Sequence, residues 1–259
     1  MTSEVYIMKI LSIGNSFSQD GQAYLKPLCD AAGLNIKTCN LYIGGCSLVR
    51  HYNAIARDED DYVFEMYGSP VYKGARVKEA LLSDKWDVIT LQEYSGFSFL
   101  YGQFELYLPE IVSFVREQCP EAKIALHQTW GYASENIHRL KNCGFSSQGE
   151  MFRRVEECYL KAAELVRADM IIPGGKALQL LADEGYAVHR DGQYASLGLG
   201  RLALAATWAR TLFGDSFTDG GFRDTEEAVS EGEAKAAFRA AFAAVNAVGY
   251  KNTLLEKKE

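Results

Sequence analysis

Ser16 is the residue in this chain best placed for nucleophilic chemistry. It lies in Gly14-Asn15-Ser16-Phe17-Ser18, behind the apolar run Lys9 to Ile13 and ahead of a segment with helical spacing. A strand that passes through a glycine turn into a helix leaves that turn at the carboxyl edge of a parallel sheet, where open α/β folds bind ligands. The first N–H groups of the helix have no intrahelical partner, so a developing oxyanion finds donors beside the hydroxyl. The plain alternative is that Ser16 and Ser18 only cap the helix. Beyond an oxyanion site, a serine nucleophile needs a base and a group that orients the base.

Later loops hold residue types that meet those needs. Gly44-Gly45 follows the second strand-like segment, and its missing side chains let a backbone N–H approach a reacting oxygen. Gln92 ends the third strand, where its carboxamide can donate a second hydrogen bond to an oxyanion. For the base there are two candidates, His189 in the loop His189 to Tyr194 and His127 near the end of the fourth strand. His189 and Asp191 share a face in extended backbone, with Cα atoms roughly 6–7 Å apart. Tyr94 and Trp130 lead an aromatic cluster after the third and fourth strands, fit either to wall a site for a sugar ring or acyl chain or to seal the sheet's end.

These residues must be carried by alternating strands and helices. Periodicity predicts a strand over 9–13, a helix over 19–32, a strand over 35–43, a short helix over 48–56 and a β-hairpin over 62–73, inserted at the sheet's edge, with Gly68-Ser69-Pro70 at its middle. Helices near 77–83, 104–118, 149–167 and 196–213 then alternate with strands over 86–92, 122–129 and 170–173. The expectation is a parallel sheet with both faces covered. The alanine-rich stretch 226–248 reads as a last helix packed outside the core or in a subunit contact. Gly174-Gly175-Lys176 and Gly198-x-Gly200-x-x-Ala203 lack the context of nucleotide-binding loops and read as packing glycines.

Composition narrows the function. The chain has 259 residues, 48% of them hydrophobic, and suits one large domain over 1–259. A net charge of −7 with scattered basic residues argues against nucleic acid and anionic membranes as partners. The six cysteines form no Cys-x-x-Cys pair and read as core thiols, and Asp58 to Asp61 reads as a solvated acidic run without a metal. Residues 1–8 are too short and polar for a signal peptide, so a cytoplasmic protein is expected.

Taken together, the blocks resemble the SGNH (GDSL-like) hydrolases. Gly14-Asn15-Ser16-Phe17-Ser18 looks like the first block, Gly45 like the second, Gln92 like the third, and Asp191-Gly192-Gln193-Tyr194 like the final Asp-x-x-His block. Ile-Gly-Asn-Ser-Phe-Ser, Leu-Gln-Glu-Tyr-Ser and Arg-Asp-Gly ahead of Ser196-Leu-Gly-Leu-Gly-Arg resemble a gut-bacterial branch of that group. The resemblance implies a flavodoxin-like three-layer sandwich with a five-stranded parallel sheet, order 2-1-3-4-5, and an inserted β-hairpin. It implies a serine esterase or acylhydrolase that cleaves carboxylic esters, with O-acetyl groups on carbohydrates as candidate substrates and no cofactor. Ser16 is then the nucleophile, Ser16 N–H, Gly45 and Gln92 form the oxyanion site, and Asp191 orients the base. Asn15, Glu93, Tyr94 and Trp130 are the expected substrate contacts. Where the resemblance places a catalytic histidine, this sequence has Tyr194. A phenol, with an ordinary pKa of about 10, is a poor general base at neutral pH beside an imidazole at about 6.5. The base is thus His189, His127 or absent, and in the last case the cleft belongs to a pseudoenzyme that binds a glycan or acylated ligand. A flavin- or nucleotide-binding module is a third reading.

Overall fold

The computed structural model describes residues 6–255. Residues 1–5 of the segment judged against a signal peptide lie outside that range. Seven strands form one sheet: β1 (Met8–Gly14), β2 (Ile36–Tyr42), β3 (Tyr62–Met66), β4 (Ser69–Ala75), β5 (Val88–Leu91), β6 (Lys123–His127) and β7 (Met170–Ile172), in the order β4-β3-β2-β1-β5-β6-β7. The five strands from β2 to β7 in that order are parallel, while β3 and β4 are antiparallel. The five-stranded sheet expected above is therefore corrected to seven strands of mixed direction. The hairpin lies at the sheet's edge as expected, where β3 pairs with β2 from Cys39↔Met66 to Tyr42↔Val63 and extends the sheet. Its turn is Tyr67-Gly68, at φ 53° and 76°, a left-handed pair that matches the twist of a two-residue hairpin. Pro70 falls on the outermost strand, where a missing N–H is tolerated.

Helices cover both faces. On one side α3 (Leu48–Ala56), α4 (Val77–Leu82), α5 (Tyr101–Gln118) and α7 (Gln148–Val166) pack over Leu11, Ile13, Cys39, Leu41, Ile89 and Leu91. A short α6 (Ile137–Asn142), absent from the sequence reading, adds Leu140 to that core. On the other side are α1 (Ser16–Gln22), α2 (Leu25–Ala31), α8 (Gly174–Asp183), α9 (Leu199–Phe213) and α10 (Glu231–Ala247). The alanines of α10 belong to this second core, and they bury α9 so fully that most of its residues are inaccessible. α10 starts at a reciprocal cap between Ser230 and Glu233.

The helix expected over 19–32 is two helices. Pro27 has no N–H and its ring would meet the carbonyl of residue 23, so one continuous helix cannot run through it. The first piece, α1, meets the sheet through polar groups. Alternation along β1, β2 and β5 sends Ser12, Asn40 and Thr90 toward α1. Ser12 Oγ lies 2.6 Å from Thr90 Oγ1 and accepts from Gln22 Nε2 at 2.6 Å, and Ser18 Oγ donates to Asn40 Oδ1 at 2.9 Å. Asn40 Nδ2 and Gln19 Nε2 both donate to the Glu65 carboxylate on β3, at 2.9 and 2.6 Å. The acidic run is ion-paired rather than merely solvated: Arg76 holds Asp58 at 3.1 Å and Asp60 at 3.3 Å, and Arg50 holds Asp61.

Candidate active site

The loops after β1, β2 and β5 meet at Asn15. Gly14 ends β1 so close to α1 that a Cβ there would sit 2.3 Å from Ser18 Oγ, which is why the strand can turn at once into a helix. Asn15 is the N-cap: its Oδ1 accepts from Phe17 N at 2.9 Å. The same oxygen accepts from Gln92 Nε2 at 2.7 Å, and Asn15 Nδ2 donates to the Cys46 carbonyl at 2.8 Å. One side chain thus ties Ser16, the Gly44-Gly45 loop and the end of β5 together. Ser16 follows it as the first residue of α1, half-buried at the sheet's carboxyl edge.

Asn15 is 2% exposed and Glu93 is fully buried, unlike the open substrate contacts that the sequence suggested. The amide of Asn15 and one carboxylate oxygen of Glu93 serve the scaffold. Glu93 Oε1 accepts from Leu48 N at 3.0 Å and Tyr94 N at 2.6 Å, joining the start of α3 to the loop after β5. Burial pushes its carboxyl up to about 7 against those two N–H donors. Gly44 and Gly45 are exposed, with Gly45 at φ 62° and facing the edge of the half-buried Tyr94 ring. Gln92, 2% exposed, has its amide fixed between Asn15 and His127, whose Nδ1 lies 2.9 Å from Gln92 Oε1.

The loop ahead of α9 closes the site. It is a narrow hairpin in which His189 bridges Ala195 and Arg190 N donates to the Tyr194 carbonyl. Asp191 is exposed, and its Oδ1 accepts from Gln193 N at 3.1 Å and Tyr194 N at 2.8 Å, so this carboxylate shapes the turn. Tyr194 meets Phe17 edge-on at 5.8 Å and lies under the Arg190 guanidinium at 4.8 Å. Trp130, expected as a substrate wall, is 1% exposed: it stacks on Phe17 at 4.0 Å and donates through Nε1 to the Gln193 carbonyl at 2.8 Å. That ring is core, placed beneath the site.

Neither candidate base meets Ser16. His189 Nε2 lies 3.1 Å from the Gly131 carbonyl, and burial lowers its pKa. His127 is fully buried, its pKa pushed down to about 3 by desolvation. His51 pairs with Tyr62 and Cys46, and His138 is exposed on α6. Among the described residues no imidazole hydrogen-bonds to Ser16. The structure adds a residue that sequence reasoning passed over, Asp20, one turn beyond Ser16 and 1% exposed. It accepts from Arg190 at 3.0 Å, Arg201 at 2.9 Å and Ala195 N at 3.2 Å, clamping the Asp191–Tyr194 loop to the helix that carries Ser16. Its signal was an acid in a helix otherwise expected to be packed.

Comparison with known proteins follows the same lines. A family model described as a domain of unknown function, DUF4886, matches residues 9–244. The chain belongs to the DUF4886 family. A DUF4886 protein from Bacteroides uniformis is 34% identical, with a TM-score of 0.87 over 98% of this chain and all (100%) of that one. A candidate SGNH hydrolase from Slackia heliotrinireducens has a TM-score of 0.57 at 19% identity, over 79% of this chain and 98% of its own. An acetylxylan esterase from Geobacillus stearothermophilus, solved as a catalytic mutant, has a TM-score of 0.51 at 18% identity, over 83% of this chain and 94% of its own. The DUF4886 chain thus shares its fold with SGNH-type hydrolases. No curated protein matches it in sequence.

Proposed function

We propose that this DUF4886 protein is an SGNH-type serine hydrolase of carboxylic esters, with O-acetyl groups on carbohydrates as its substrate class. The observation that carries the reading is the Asn15 junction, which brings Ser16, the Gly44-Gly45 loop and Gln92 to one edge of the sheet. In this mechanism Ser16 Oγ attacks the ester carbonyl and forms a tetrahedral intermediate. Ser16 N–H, Gly45 N–H and the second N–H of Gln92 Nε2 hold its oxyanion. Collapse breaks the ester C–O bond as the Ser16 proton passes to the departing alcohol oxygen, and water then attacks the acyl-serine, releasing the acid and returning a proton to Ser16 Oγ. The carbohydrate choice is supported by the acetylxylan esterase that shares the fold and by Tyr42, Tyr94 and Tyr194, half-exposed in the loops that meet here. Sugar rings stack on such faces.

A second reading, a binding protein derived from such an enzyme, is favoured by Tyr194 in the position of the Asp-x-x-His imidazole and by the engagement of His189 with Gly131. Turnover of p-nitrophenyl acetate decides between them. Hydrolysis by the wild type that disappears in Ser16→Ala supports the enzyme. An inert wild type in which Tyr194→His creates turnover supports the binding protein, and activity that survives Ser16→Ala overturns the mechanism.

A further inference from the structure

The hydrogen-bond chain from Cys46 to His127 has only one consistent direction, and that direction assigns a proton. Two backbone groups fix one end: the Cys46 carbonyl can only accept and the Phe17 N–H can only donate. Asn15 must therefore turn its nitrogen to Cys46, at 2.8 Å, and its oxygen to Phe17, at 2.9 Å. Gln92 then faces that oxygen, at 2.7 Å, with its own nitrogen, which leaves its Oε1 facing His127 Nδ1 at 2.9 Å. An oxygen without a hydrogen requires that Nδ1 carry one.

We infer that His127 is a positioning residue: as the neutral Nδ1–H tautomer it holds the Gln92 carboxamide with its nitrogen at the Ser16 edge and its oxygen turned away. The surroundings agree. His127 is enclosed by Gly21 of α1, Gly174 of α8, Trp130 and the edge-on Trp208 ring at 4.9 Å, so among the described residues no charged side chain faces it, and desolvation alone keeps it neutral. Its Nε2 has no partner among the described residues, as suits a bare nitrogen rather than a second N–H. A flipped Gln92 would present its oxygen to an oxyanion and repel it. The tautomer follows from geometry alone; its effect on turnover rests on the hydrolase reading.

The two parts are tested separately. In the full chain labelled with 15N-histidine, long-range 1H–15N spectra identify His127 by its contacts with the Trp208 ring. The expected spectrum shows a protonated Nδ1 and a bare Nε2, unchanged between about pH 6 and pH 8. A protonated Nε2, or a cation in that range, overturns the inference even if the protein hydrolyses nothing. For turnover, His127→Asn places an amide nitrogen near the Nδ1 position, whereas His127→Leu keeps the volume and loses the donor. The expected result is kcat within a few-fold of wild type for His127→Asn and about 100-fold lower for His127→Leu, with KM little changed. Equal losses in both variants, or the larger loss in His127→Asn, would reduce His127 to packing.

Discussion

The Asp20 carboxylate accepts from the Arg190 guanidinium at 3.0 Å, and this contact holds the loop before α9 against the helix that carries Ser16. Arg201 shares the same acid at 2.9 Å and also pairs with Glu226, so one buried carboxylate joins two guanidiniums. Asp20→Asn keeps the shape and removes the charge, leaving Arg190 without its acid and Arg201 with Glu226 alone. The expected cost is about 3 kcal/mol in urea unfolding, with turnover lowered as the Asp191–Tyr194 turn loosens. A variant within about 1 kcal/mol of wild type would show that solvent already screens the cluster.

Glu93 makes stability depend on pH in the direction opposite to an ion-paired acid. Burial raises its carboxyl from 4.5 to about 7, while the unfolded chain keeps the ordinary value, so between those pH values the folded state binds more protons. Its contribution is fully present below about pH 4.5, is lost as pH rises through about 7, and is flat beyond. Glu93→Gln mimics the protonated form and should erase roughly 3 kcal/mol of that slope. Urea unfolding of both proteins near pH 5 and pH 8 checks it, and parallel losses in the two would refute it.

Gly45→Ala addresses backbone conformation without a clash. At φ 62° an alanine costs about 1 kcal/mol, and its Cβ would meet only the Tyr94 ring edge at 4.0 Å. A small drop in melting temperature is expected, with a larger drop in kcat than in KM as the N–H leaves its bearing. Unchanged kcat would remove Gly45 from the oxyanion site.

Trp130→Leu separates core from wall. The substitution breaks the Phe17 stack and leaves the Gln193 carbonyl without its indole donor. The expected effect is a loss of about 3 kcal/mol in stability. A raised KM with stability intact would instead restore the ring to the substrate's side.

That Ser16, Gly45 and Gln92 meet at one edge of the sheet was legible in the sequence because each lies just beyond a buried strand, and parallel strands deliver such ends to one edge. Asn15 and Glu93 were misjudged because a polar residue beside a catalytic motif looks exposed until its partners are known. Theirs are Cys46, Gln92 and Leu48, distant in sequence. The split between α1 and α2 escaped for a related reason. Ala23, Leu25, Leu28 and Cys29 suggest one apolar stripe, whereas α1 docks through Ser18, Gln19 and Gln22, whose partners no periodicity can show. The hairpin and its place at the sheet's edge were visible from its turn residues, whereas which edge strand it joins is a pairing choice between strands of similar character.

The polar seat of α1 has a consequence for what this fold can tolerate. Greasy contacts forgive a small roll of a helix, whereas hydroxyls and carboxamides matched one to one do not. Adding or deleting a single residue between Gly14 and Gln22 would swing every later side chain by about 100°. Drift in this stretch is therefore restricted to swaps of side chain at constant spacing.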